Sequence, residues 1–99
     1  MTYLDDKNFK TFISSNDKVV VDFFASWCGP CRALAPVFEA VEGKVNGWKF
    51  VKVDVDKAQN LALSLGVNTI PTIIIFEKGQ EVERNVGYLT EQQLIDLIG

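Results

Sequence analysis

The five residues Trp27-Cys28-Gly29-Pro30-Cys31 follow closely on the apolar run Val19-Val20-Val21-Asp22-Phe23-Phe24. A Cys-x-x-Cys that leaves a strand and enters a helix reads as a dithiol redox site. The chain has 2 cysteines, so within one molecule they pair only with each other. A structural zinc site normally takes four Cys or His ligands. With 2 Cys and 0 His the chain falls short of that ligand set, and no metal is expected. A bridge between residues three apart closes so short a loop that it removes little unfolded-state entropy. It is a poor staple, which leaves chemistry as the reason for the pair.

The 99-residue chain fits one domain spanning residues 1–99, and at 47% hydrophobic it can build one core without disulfide scaffolding. A net charge of −3 leaves no footprint for nucleic acid. No apolar run approaches the ~20 residues of a membrane span. The start, Met1-Thr2-Tyr3-Leu4-Asp5-Asp6, is acidic and lacks the basic and apolar regions of a signal peptide. A cytoplasmic location is therefore expected, and a reducing cytosol suits an enzyme that must itself be reduced to work.

Periodicity orders the elements. A first helix is expected to start at Asp5 or Asp6, with Phe9, Phe12 and Ile13 as its apolar stripe, and to stop at the turn cluster Ser14-Ser15-Asn16-Asp17. Val19 to Phe24 has the near-continuous apolar pattern of a central strand buried on both faces. The helix after the dithiol should run to about Val45, with Leu34, Val37, Phe38, Val41 and Val45 inward and a kink at Pro36. Phe50 to Val55 reads as a strand, residues 57–65 as a short helix, and Thr72 to Phe76 as a second buried strand. Lys78-Gly79 reads as a hairpin turn into a polar edge strand from Glu81 to Val86. Thr90-Glu91-Gln92-Gln93 is a capping box opening a last helix that buries Leu94, Leu97 and Ile98. This order predicts a mixed sheet covered by helices on both faces, with a right-handed parallel crossover through the dithiol helix.

Chemistry then assigns roles. Thiol–disulfide exchange proceeds through a thiolate, so the site must lower a thiol pKa. Cys28 falls at the start of the helix, where free backbone N–H groups and the macrodipole favour a negative sulfur, which makes it the expected nucleophile. Pro30 has a φ suited to the first turn and no N–H to leave unpaired. Cys31, three residues on and expected to be deeper, is the expected resolving thiol. The Gly29-Pro30 spacer carries no positive side chain to favour the thiolate further, which points to a reductase. Asp22 interrupts an apolar strand. It either caps a loop or reaches the surface, or it is a buried carboxylate that accepts a proton from Cys31. Lys52, between Val51 and Val53, is either its partner or an ordinary exposed strand lysine. Pro71, before a strand, either ends a loop with a trans bond or folds the loop back through a cis bond.

The chain strongly resembles the thioredoxin family over almost its whole length. The resemblance rests on Val21-Asp22-Phe23-Phe24-Ala25, Trp27-Cys28-Gly29-Pro30-Cys31, Pro36, Lys52, Asp56, Ile70-Pro71-Thr72, Gly79 and Gly87, in that order. It implies an α/β thioredoxin fold and a general protein-disulfide reductase. Such an enzyme binds no cofactor and works through a redox-active Cys28-Cys31 disulfide. It is recharged by a flavin-containing thioredoxin reductase that uses NADPH, and it meets disulfide-containing client proteins as a monomer. The resemblance further implies a cis bond before Pro71. It makes Asp22 the buried acid with Lys52 modulating it, and it places Trp27, Gly29, Pro30, Val55, Ile70, Pro71, Gly87 and Tyr88 on the client-docking surface. Three positions depart from the family pattern. The N-terminal edge strand must be short or absent, Phe24 stands where many members carry a second tryptophan, and Tyr88 stands where a small residue is common. A specialised oxidoreductase or isomerase, or a non-catalytic binding subunit on the same fold, are the alternatives. A redox potential and a disulfide-reduction assay separate them.

Overall fold

In the computed structural model, which describes all 99 residues, Val19, Val20, Val21, Asp22 and Phe23 are all buried. They belong to β2 (Lys18–Phe24), which pairs with parallel β3 (Lys49–Asp54) on one side and antiparallel β4 (Thr72–Glu77) on the other. With a covered face above and below, neither side of β2 meets water, and the apolar run needs no alternation. The five-stranded sheet has the order β1-β3-β2-β4-β5, with β1 at Thr2–Leu4 and β5 at Gln80–Val86. Its N-terminal edge strand is thus present, only 3 residues long, and parallel to β3.

Alternate side chains divide the core in two. Val19, Val21 and Phe23 pack with Val51, Val53 and Ile74 beneath α1 (Phe9–Ser15) and α3 (Gln59–Ser64). Val20, Phe50, Ile73 and Ile75 pack beneath α2 (Gly29–Glu42) and α4 (Glu91–Ile98). The α2 stripe is Leu34, Phe38 and Val41, all fully covered, with Val37 and Val45 half-buried beside it. Asp22 and Lys52 belong to this second face, because they continue the alternation of Val20 and Phe50.

Several boundaries differ from the sequence reading: α3 is shorter than the expected residues 57–65, and two helix ends shift further. Helix α1 begins at Phe9, not at Asp5 or Asp6, and extends through Ser15. Asp5 still closes the entry: its carboxylate accepts from the Lys7 N–H at 2.9 Å, and the Asn8 side chain accepts from its own N–H at 2.8 Å. Those two bonds hold residues 6–8 as a turn before regular helix starts. Helix α2 ends at Glu42, because Gly43 follows and the Lys44 N–H bonds to the Val41 carbonyl in a tighter turn.

Local turn chemistry is realised as expected elsewhere. Lys78 and Gly79 both take positive φ, 53° and 81°, which suits a two-residue hairpin between Glu77 and Gln80. At α4 the Thr90 hydroxyl accepts from the Gln93 N–H at 3.2 Å while the Gln93 side chain accepts from the Thr90 N–H at 2.9 Å. Thr90→Ala should therefore lower stability by about 1 kcal/mol. Urea midpoints read this, and an unchanged midpoint would mean that the packing of Leu94 and Ile98 alone holds α4.

Candidate active site

Strand β2 ends at Phe24, and a short turn carries the chain into α2 with Cys28 as its N-cap. Cys28 has extended φ and ψ of −86° and 116°, Gly29 opens the helix, and Pro30 sits in its first turn. The Cys31 N–H points at the Cys28 sulfur, 3.2 Å away. A 14-residue helix thus sets the positive end of its dipole and one free N–H at this sulfur, the arrangement that stabilises negative charge there. Cys28 and Cys31 are joined in a disulfide, with Cα atoms 5.2 Å apart.

The expected contrast in depth between the two cysteines is slight. Cys28 is 5% exposed and Cys31 3%. Ile70 causes this: its carbonyl oxygen lies 3.9 Å from the Cys28 sulfur, and its side chain packs with Val55 and Phe24 on the Ala25-Cys28-Cys31 cluster. The sulfurs are distinguished by their place on the helix, since only Cys28 occupies the N-cap.

The loop across the site is held by backbone. The Ile70–Pro71 bond is cis. The Pro71 carbonyl accepts from the Gly87 N–H at 2.8 Å, which ties the Gly87-Tyr88 loop alongside. Gly87 has φ of 104°, a conformation that explains glycine at this point. Trp27 is 67% exposed, Tyr88 is 49% exposed, and Gly29 and Pro30 are exposed as well. Val55 and Ile70 are half-buried against the cysteines.

Two features were missed in the sequence. Val86, paired with Thr72 beside Pro71, is 56% exposed and adds apolar surface at the end of β5. Its signal was an apolar residue closing a mostly polar edge strand. Asp56 accepts a 2.8 Å hydrogen bond from the Trp27 indole N–H. Nothing local to Asp56 forecasts a partner 29 residues away. Asp56→Ala should free the Trp27 ring and raise the KM for a protein disulfide about fivefold, the net weight of one ordinary solvent-exposed hydrogen bond. An unchanged KM would show that Trp27 orientation is set by packing alone.

Asp22 is buried outright, at 0% exposure, and no protein group donates a hydrogen bond to either carboxylate oxygen. Strand register places Lys52 directly opposite it, with Nζ 3.9 Å from Oδ2. That is an ion contact without a hydrogen bond. Lys52 is itself buried at 6% exposure, so the reading of an ordinary surface lysine does not hold. Burial pushes the Asp22 carboxyl up from 3.8 to about 6, against the opposing pull of the Lys52 charge. Cys31, Arg32, Ala35, Phe24 and Lys52 together wall a cavity of about 250 Å³. The cavity thus borders both Cys31 and Lys52, the residue that faces Asp22. No group of three His, Cys, Asp or Glu side chains converges to hold a metal ion. No helix is long and apolar enough to cross a membrane.

Comparison with known proteins fits this geometry. The thioredoxin family model matches residues 1–99. Thioredoxin from Mycoplasmoides gallisepticum is 43% identical over 86 residues, covering 87% of this chain and 86% of that protein. Thioredoxin from Chlamydia trachomatis is 43% identical over 95 residues, covering 96% and 92%. The structure of Plasmodium falciparum thioredoxin superimposes with a TM-score of 0.92 at 32% identity, covering 99% of this chain and 96% of that one.

Proposed function

The chain belongs to the thioredoxin family, and from that premise we propose how its dithiol works. The protein is a protein-disulfide reductase, a thiol–disulfide oxidoreductase that carries two electrons in the Cys28-Cys31 pair. Reduced Cys28 attacks one sulfur of a client disulfide. A mixed disulfide forms, and the other client sulfur leaves as a thiolate that takes up a proton. Cys31 gives its proton to the Asp22 carboxylate and attacks the Cys28 sulfur. The second client thiol is released, and the Cys28–Cys31 disulfide is restored. Lys52 modulates the proton affinity of Asp22 by its charge.

The observation that carries this reading is the disulfide at the N-cap of a long helix, bordered by exposed apolar and glycine positions. Trp27, Gly29, Pro30, Val55, Ile70, Pro71, Gly87 and Tyr88 form the client-docking surface. An extended client segment laid along Ile70 and Pro71 is recognised through backbone, which tolerates varied client sequence. The electrons come from NADPH through a thioredoxin reductase. The protein acts as a monomer, as a single domain, in the cytoplasm.

The test is NADPH oxidation coupled to reduction of insulin by a thioredoxin reductase, with and without this protein. Turnover that needs all components supports the cycle. No acceleration by the protein would remove the recharging step. A Cys28→Ser protein that kept its biological role would favour the binding-subunit reading.

A further inference from the structure

Phe24 lies two residues beyond Asp22 on β2, and so on the same face of the sheet. The Lys52 ammonium sits over its ring, 4.7 Å from the centroid, within the range of a cation–π contact. Tyr3 of the short edge strand also meets the ring, with centroids 6.0 Å apart and an edge-on angle of 64°. Tyr3 is also the register partner of Lys52 across β1 and β3. The ammonium has no hydrogen-bond acceptor within the protein closer than the 3.9 Å contact to Asp22. A lysine side chain has four rotatable carbons, so a contact that loose does not by itself fix where the charge rests.

We infer that Phe24 is a positioning residue: its ring face, with Tyr3 in edge-on contact, holds the Lys52 ammonium beside Asp22 and so sets how readily Asp22 takes up the Cys31 proton. The proposal rests on the reading of Asp22 as proton acceptor only in its last clause. The placement of Lys52 stands on geometry alone. It also gives the three-residue edge strand a part in the chemistry, through Tyr3.

Few other charges face Asp22. From β3 there are Lys52 and, two residues on along the same face, Asp54, which pairs with Phe24. From β4 the opposite residue is Ile73, which carries no charge. From α2 come the two cysteines, which do not titrate while joined, and Arg32, which lines the same cavity as Lys52 and bonds to the Ser26 carbonyl at 3.0 Å. The oxidised protein therefore offers a clean titration of the Asp22 carboxyl.

The experiment is carboxyl-carbon NMR of oxidised protein across pH, in a double-mutant cycle of Phe24→Leu and Lys52→Met. Phe24→Leu should raise the Asp22 midpoint by about half a unit or more when Lys52 is present. In the Lys52→Met background the same change should have little effect, since there is no ammonium to hold. Phe24→Trp, which keeps a π face, should restore the original midpoint. The background comparison separates positioning from simple hydration of the carboxyl, which would move both alike. Equal shifts in the two backgrounds, or a Phe24→Leu protein that titrates like the parent, would overturn the proposal. Single-turnover resolution by Asp22→Asn separates the two layers. If that variant resolves at full rate while the cycle shows coupling, the positioning stands and the proton-acceptor reading falls.

Discussion

Cys28→Ser is expected to reduce disulfide reduction to the uncatalysed background, while Cys31→Ser accumulates a covalent protein–client adduct. The asymmetry follows from α2. Cys28 is the N-cap that faces the free N–H groups of the first turn, with the Cys31 N–H 3.2 Å from its sulfur. In the reduced protein that field favours the Cys28 thiolate over the Cys31 one. A serine hydroxyl at position 28 supplies no thiolate, so no mixed disulfide can form. A serine at position 31 leaves attack intact and removes the group that ends it. The adduct should be seen by non-reducing electrophoresis and released by dithiothreitol. Iodoacetamide at mildly acidic pH should label Cys28 first in the parent protein. Because both sulfurs are nearly covered, that preference would report thiolate character and not access. Preferential labelling of Cys31, or adduct formation by Cys28→Ser, would exchange the two roles.

Asp22→Asn is expected to stabilise the protein at neutral pH and to slow it. The folded carboxyl holds its proton to about pH 6, whereas the unperturbed group loses it near 3.8. Between those values the folded state binds more protons than the unfolded one. Parent stability therefore falls as pH rises from about 3.8 to about 6 and is level above that. The difference corresponds to about 3 kcal/mol at the plateau. An asparagine amide removes the charge but leaves polar atoms without protein partners and Lys52 without a counter-charge, so a net gain of about 1–3 kcal/mol is expected at pH 7.5. Near pH 4 most of the gain should vanish, because the folded carboxyl is then protonated and little of the plateau difference has yet built up.

Resolution of the mixed disulfide should slow in the same variant by about 10²-fold, the low end of what a positioned proton acceptor contributes. The low end applies because the cavity walled by Cys31 and Lys52 is large enough to admit water as a poorer acceptor. Urea melts at pH 4 and pH 7.5, beside single-turnover reduction of a client, measure both effects. A variant that is less stable at pH 7.5 and equally fast would make Asp22 a structural partner of Lys52.

Much of this molecule is written locally. The strand before Cys28, the start of the helix after it, the Lys78-Gly79 hairpin and the Thr90-Gln93 capping box each depend on residues a few positions apart, and each is found where the pattern puts it. Even the misplaced start of α1 is a local matter: Asp5 and Asn8 bond to one another and hold a turn where regular helix was expected. The order of residues also made Asp22 conspicuous, because a carboxylate among valines and phenylalanines has no local excuse. Whether it was buried, and beside what, could not be read there. Strand register decided it, by setting Lys52 opposite Asp22 and Tyr3 opposite Lys52, from three separate segments of chain. Close packing decided the rest: Ile70 over the Cys28 sulfur, Asp56 on the Trp27 indole, and the Phe24 ring under the Lys52 ammonium. Periodicity reports which face a side chain takes within its own element. The partner it meets there comes from how separate elements are aligned, and that alignment exists only once the whole sheet has formed and both helical layers have closed over it.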